Sequence, residues 1–136
     1  MLDCLIMGDN IAVGLHQVKK ECVMYAEVGI NSRNFNNKYI SNKKSDYGSE
    51  VAIISLGSTD HRNINTYEEL VYLRERVKSQ RVYWILPNES KYESQSADAR
   101  KVAENFNDFI IAPKNYELDG FHPTSESYKE IAKEIE

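Results

Sequence analysis

Apolar residues in this chain gather in short uninterrupted runs, and the three strongest stop at a glycine or a proline. Cys4-Leu5-Ile6-Met7-Gly8, Val51-Ala52-Ile53-Ile54-Ser55-Leu56 and Val82-Tyr83-Trp84-Ile85-Leu86 are of this kind. Runs apolar on both faces predict strands buried inside a parallel sheet. Weaker runs, about Cys22 to Ala26 and Phe109 to Ala112, predict two more strands.

Between the runs the apolar spacing lengthens to three and four residues. Ile11, Leu15 and Val18 predict a short helix over 10–18, which Asp9 or Asn10 can cap. Thr66 with Glu69 reads as a capping box, opening a helix with Tyr67, Leu70, Val71 and Val77 on one face. Ala99, Val102, Ala103 and Phe106 mark a further helix, and Tyr128, Ile131, Ala132 and Ile135 give the last one its stripe. The asparagine-rich stretch 31–40 shows helical spacing only at Phe35 and Tyr39. The polar segments Ser41 to Ser49 and Asn88 to about Ser94 read as loops.

Strand and helix alternating with short connections predict one α/β domain over residues 1–136. It is a three-layer, doubly wound sandwich around a five-stranded, mostly parallel sheet. In such a sheet the loops leaving the strands' C-terminal ends share one rim. Residues 8–10, 29–32, 57–61, 87–94 and 119–122 are therefore expected to converge.

Composition narrows the function classes. The 136 residues are 41% hydrophobic and 28% charged, with a net charge of −4. That charge argues against nucleic-acid binding, and Lys19-Lys20 and Lys43-Lys44 are too brief for a basic track and read as solvated surface. No apolar run approaches the length of a membrane span, and Met1-Leu2-Asp3 lacks the basic and apolar regions of a signal peptide, so a cytoplasmic site is the expectation. Cys4 and Cys22 both fall in apolar strand-like segments, which favours buried free thiols. His16, His61 and His122 have no ligand spacing, and Gly8-Asp9-Asn10 lacks the glycines or lysine of a nucleotide loop, so no cofactor or metal is implied.

The most specific chemical signal is Asp119-Gly120-Phe121-His122-Pro123. An aspartate three residues before a histidine can fix one imidazole nitrogen and leave the other free as a base. Together with Gly8-Asp9, Gly29 and Gly57-Ser58-Thr59-Asp60, this block makes the chain resemble the SGNH, or GDSL, hydrolases along nearly its whole length. The resemblance implies a flavodoxin-like sandwich and hydrolysis of carboxylic O-acyl esters, including those on lipids and carbohydrates. The expected partner is a small-molecule or carbohydrate-linked ester.

In that family a serine directly after Gly-Asp is the nucleophile, and here the position holds Asn10. The resemblance gives His122 the role of base and Asp119 that of its orienter. It puts the oxyanion hole at Asn10, Gly29 and Thr59, the last standing where the family carries an asparagine. Asp9 corresponds to a structural acceptor, and Gly8, Gly57 and Asp60 are the other motif positions. A carboxamide cannot form an acyl-enzyme, so Asn10 leaves either an ester-hydrolase lineage without its nucleophile or a binding module that keeps the pocket. Asn10 could hydrogen-bond to His122 or to a ligand, and Ser32, Ser58 and His61 lie near the same rim. The short connections predict a shallow, open pocket.

Overall fold

The computed structural model describes residues 3–41 and 47–135. The element order is β1 (Cys4–Gly8), α1 (Asn10–His16), β2 (Val23–Ala26), α2 (Ser32–Phe35) with a π-helical turn (Asn36–Ile40), and β3 (Tyr47–Ser55). It continues with α3 (Thr66–Arg74), β4 (Val77–Ile85), α4 (Glu93–Asn105), β5 (Phe109–Ile111) and α5 (Ser125–Glu134). The strands form one sheet in the order β2-β1-β3-β4-β5, and all four pairings are parallel.

Alternation along the buried strands divides the core between two faces. Leu5, Met7, Ala52, Ile54, Val82 and Trp84 pack against Phe35, Leu70, Leu73, Ala99 and Val102 of α2, α3 and α4. Ile6, Val51, Ile53, Tyr83 and Ile85 face Ile11 and Leu15 of α1 and Ile131 of α5. The result is the expected three-layer sandwich. The chain leaves β1 toward β2 and later returns to β3 on the other side of β1, so a crevice opens where the two directions diverge.

Several expectations are corrected. Cys4 and Cys22 form a disulfide with their Cα atoms 4.8 Å apart, and no described cysteine is free. The register explains it: Leu5 pairs with Val23, so the preceding residues on the two adjacent strands meet. The bond replaces the two buried free thiols expected above. Val77 is not on α3 but begins β4, and β3 begins at Tyr47, inside the stretch read as loop. Residues 42–46 of that stretch, with Lys43 and Lys44, lie outside the described residues.

The capping box is also different. Asn65 caps α3, its side chain accepting from the Glu68 N–H, while Thr66 Oγ1 donates to Asp60 and Glu69 receives the Asn36 amide. Lys19 is buried rather than solvated, with its ammonium 3.4 Å from Glu21. Among the described residues no helix is long and apolar enough to cross a membrane.

Candidate active site

The end of β1 brings Gly8, Asp9 and Asn10 to the rim. A Cβ on Gly8, whose φ is +150°, would lie 1.9 Å from the Ser55 carbonyl oxygen, so glycine alone lets the ends of β1 and β3 close together. The Asp9 N–H donates to that same oxygen at 3.0 Å.

Asp9 is fully buried and caps α1, its Oδ1 accepting from the Ile11 N–H at 3.0 Å. Burial pushes its carboxyl up to about 7; the Ile11 hydrogen bond counters this in part and nearby Asp60 adds to it. Its Oδ2 is buried with no hydrogen-bond partner among the described residues.

Asn10 is the first residue of α1 and does not cap it. Its Oδ1 instead accepts the Gly29 N–H at 2.6 Å. This bond joins the β1 exit to the β2 exit and occupies the glycine donor expected for an oxyanion. Gly29 has a φ of +80°, a conformation that favours glycine although its surroundings are open. The Thr59 hydroxyl donates to the Ile30 carbonyl at 2.6 Å. A hydroxyl has one proton, so in this arrangement Thr59 offers none to the crevice.

Asp60 fastens the floor between these loops. Its Oδ1 accepts the Ser32 N–H at 2.7 Å, and its Oδ2 accepts the Ser32 hydroxyl at 2.5 Å and the Thr66 hydroxyl at 2.7 Å. Its carbonyl takes the Gln95 amide at 3.2 Å. Ser32 is therefore a structural donor. The Ser58 hydroxyl is buried without a partner among the described residues. His61 is exposed, with Nδ1 accepting from the Asn63 N–H at 3.3 Å. His16 lies elsewhere, its Nε2 3.0 Å from the Cys22 carbonyl.

In the loop before α5, Asp119 and His122 form the expected dyad. Asp119 Oδ2 lies 2.7 Å from His122 Nδ1, and Oδ1 accepts the backbone N–H groups of Phe121 at 2.8 Å and His122 at 3.0 Å. The His122 bond, helped by those two N–H groups, holds the Asp119 carboxyl down at about 2. An ionised carboxylate only accepts, so Nδ1 carries the proton and Nε2 is free to act as a base. Asn88 Nδ2 donates to the Gly120 carbonyl at 2.9 Å, and Lys91 Nζ to the Asp119 carbonyl, tying this loop to the β4 exit.

The dyad's neighbours link it to β1. Phe121 and Tyr128 pack against the face that holds Ile11 and Leu15. Burial raises the Tyr128 phenol, and the charges of Asp9 and Asp119 raise it further, so the phenol lies within electrostatic reach of both loops. Tyr128 has room because residue 14 is glycine: a Cβ there would be 2.3 Å from its hydroxyl. Sequence reasoning missed Tyr128, Asn88 and Lys91. The Tyr128 spacing had announced only a core position.

The cavities flank the crevice. One of about 500 Å3 beside Gly29 is lined by Glu27, Val28, Asn34 and Lys38, and one of about 540 Å3 lies between the β3–α3 loop and α4. One grouping of possible metal ligands occurs among the described residues, Cys4 with Glu21 and Cys22, and its two sulfurs are bonded to each other.

No family model and no curated protein matches the sequence. Solved structures do match the fold. The chain is similar to a GDSL-like lipase from Bacteroides thetaiotaomicron, with a TM-score of 0.66 and 16% identity over 96% of this chain and 84% of the other. It is similar to a carbohydrate esterase of family 3 from Talaromyces cellulolyticus, with a TM-score of 0.57 and 13% identity over 97% and 93% of the two chains. A third likeness, to the catalytic domain of a peptidoglycan O-acetyltransferase from Streptococcus pneumoniae, has a TM-score of 0.51 and 14% identity over 82% and 68%. Together, the all-parallel sheet, its switch-point crevice and these neighbours give the chain an SGNH/GDSL hydrolase-like fold.

Proposed function

We propose that this protein binds O-acyl esters, free or carried on carbohydrate, in an ester-hydrolase framework that lacks its attacking atom. One observation carries the reading: the Asn10 carboxamide oxygen is seated on the Gly29 N–H at 2.6 Å, where a reacting oxyanion would need that donor. Asn10 has no hydroxyl for His122 to deprotonate, so no acyl-enzyme forms. Loss of a triad nucleophile lowers turnover by roughly a million-fold, which leaves at most a trace of hydrolysis. The intact Asp119–His122 pair supports a hydrolytic framework over an unrelated pocket. The names of the structural neighbours, a lipase and a carbohydrate esterase among them, support ester ligands.

The test is hydrolysis of p-nitrophenyl acetate by the protein and by Asn10→Ser. The substitution releases the Gly29 N–H and places a hydroxyl beside it. The unmodified protein should show no acyl-enzyme burst, and Asn10→Ser should gain one. A burst from the unmodified protein overturns the proposal, as does an Asn10→Ser variant that folds and stays inert.

A further inference from the structure

The groove of about 540 Å3 between the β3–α3 loop and the start of α4 belongs to none of the catalytic roles above. It borders the crevice directly. A Cβ on Gly57, at the β3 exit, would lie 3.4 Å from Thr66 and 3.6 Å from Gln95, both of which line the groove.

Its chemistry can be read from the hydrogen bonds its side chains have already made. Gln95 gives its Nε2 to the Asp60 carbonyl and keeps its Oε1 as an acceptor. Asn65 uses Oδ1 to cap α3 and keeps both Nδ2 protons. His61 accepts at Nδ1, so its neutral ring carries the proton on Nε2. Arg62 is exposed and makes no hydrogen bond or ion pair within the described residues. Asp98 contributes a half-buried carboxyl whose pKa is raised by desolvation, with Lys101 pulling it the other way.

The groove therefore offers donors and acceptors side by side. An anion would meet the Asp98 carboxylate, and an apolar chain would find Ile64 as the only hydrophobic lining residue. Sugar hydroxyls, each donor and acceptor at once, match such a mixture. The volume falls within the range of small-ligand sites.

We propose that this groove is a binding site for neutral carbohydrate, with Arg62, Asn65 and Asp98 contacting the sugar hydroxyls. It rests on the ester-ligand reading only in assigning the sugar to the groove and its acyl group to the crevice.

The test is titration of the isotope-labelled full chain with xylobiose and with N,N′-diacetylchitobiose, followed by amide chemical shifts, with inorganic phosphate as the anion arm. At least one disaccharide should give saturable shifts at residues 61–66 and 94–98, and Arg62→Ala and Asp98→Asn should each weaken binding by about tenfold or more. Amide spectra of both variants verify that they are folded. The proposal is overturned if neither sugar gives saturable shifts up to about 10 mM, ten times a millimolar dissociation constant. It is equally overturned if phosphate binds there in their place. Sugar binding with an inert Asn10→Ser variant would sink the hydrolase framework alone, whereas a silent groove beside a reactivated variant would sink the groove alone.

Discussion

Asp60 grips Ser32 twice, through its backbone N–H at 2.7 Å and its hydroxyl at 2.5 Å. The same carboxylate also holds Thr66 at the start of α3, so one buried side chain fixes the loops after β2 and β3. Asp60→Ala should leave these donors without partners and cost about 3 kcal/mol of stability. Urea denaturation measures the loss. A change under about 1 kcal/mol would mean that water replaces the carboxylate without penalty.

Asp9 gives stability a pH dependence of definite sign. Its folded pKa is raised to about 7 from an ordinary 3.8, so the folded state holds the proton more tightly. Its contribution is complete below about 4, declines as pH rises toward 7 and levels off above. Within that window Asp9 alone contributes a slope approaching about 1.4 kcal/mol per pH unit. Asp9→Asn keeps an oxygen for Ile11 and should flatten it. Denaturant melts of both proteins from pH 4 to 8 make the comparison. Asp119, held at about 2 and exposed, acts with the opposite sign and only below that window.

Under the proposed function, the dyad should become visible once a serine stands at position 10. In an Asn10→Ser background, His122→Ala should remove essentially all of the gained hydrolysis, and Asp119→Asn should lower turnover by about 10,000-fold by losing the tautomer that leaves Nε2 basic. Single-turnover kinetics with p-nitrophenyl acetate separate the two. Equal rates in the double variants and Asn10→Ser would exclude His122 as the base.

The Cys4–Cys22 bond closes a loop with a sequence separation of 18. Loops of that size are worth about 3 kcal/mol when crosslinked. The oxidised protein should take up no iodoacetamide until reductant is added, and Cys4→Ser with Cys22→Ser should lower stability by about that amount. Alkylation of both thiols in the unreduced native protein would refute the crosslink.

Much of the architecture was legible because parallel strands, covered on both faces, write themselves as unbroken apolar runs. The β1, β3 and β4 cores were found in this way, and the exits of these strands pointed to the rim. What failed depended on neighbours in space. Val77 continued the α3 stripe, yet the chain turns at Arg76 and starts a strand. Thr66 and Glu69 had capping-box spacing, but Asp60 and Asn36 claimed their side chains and Asn65 took the cap. The cysteines are 18 residues apart, and only the β1–β2 register brings them together.

The candidate site shows the same division. Asp119 and His122 are three residues apart, so their bond was readable from the sequence. The Asn10–Gly29 bond spans 19 residues and depends on how the β1–α1–β2 crossover returns. The Thr59 hydroxyl turned to Ile30, a backbone acceptor that no side-chain pattern announces.

Because every strand of the sheet points the same way, the candidate crevice lies at one end of the sheet and the strand entries at the other. Lys78, exposed near the entry of β4, sits roughly 25 Å along that strand from its exit. A fluorophore or surface tether attached there would leave the crevice and its flanking grooves facing the medium, which makes the entry of β4 a natural handle for single-molecule or immobilised assays.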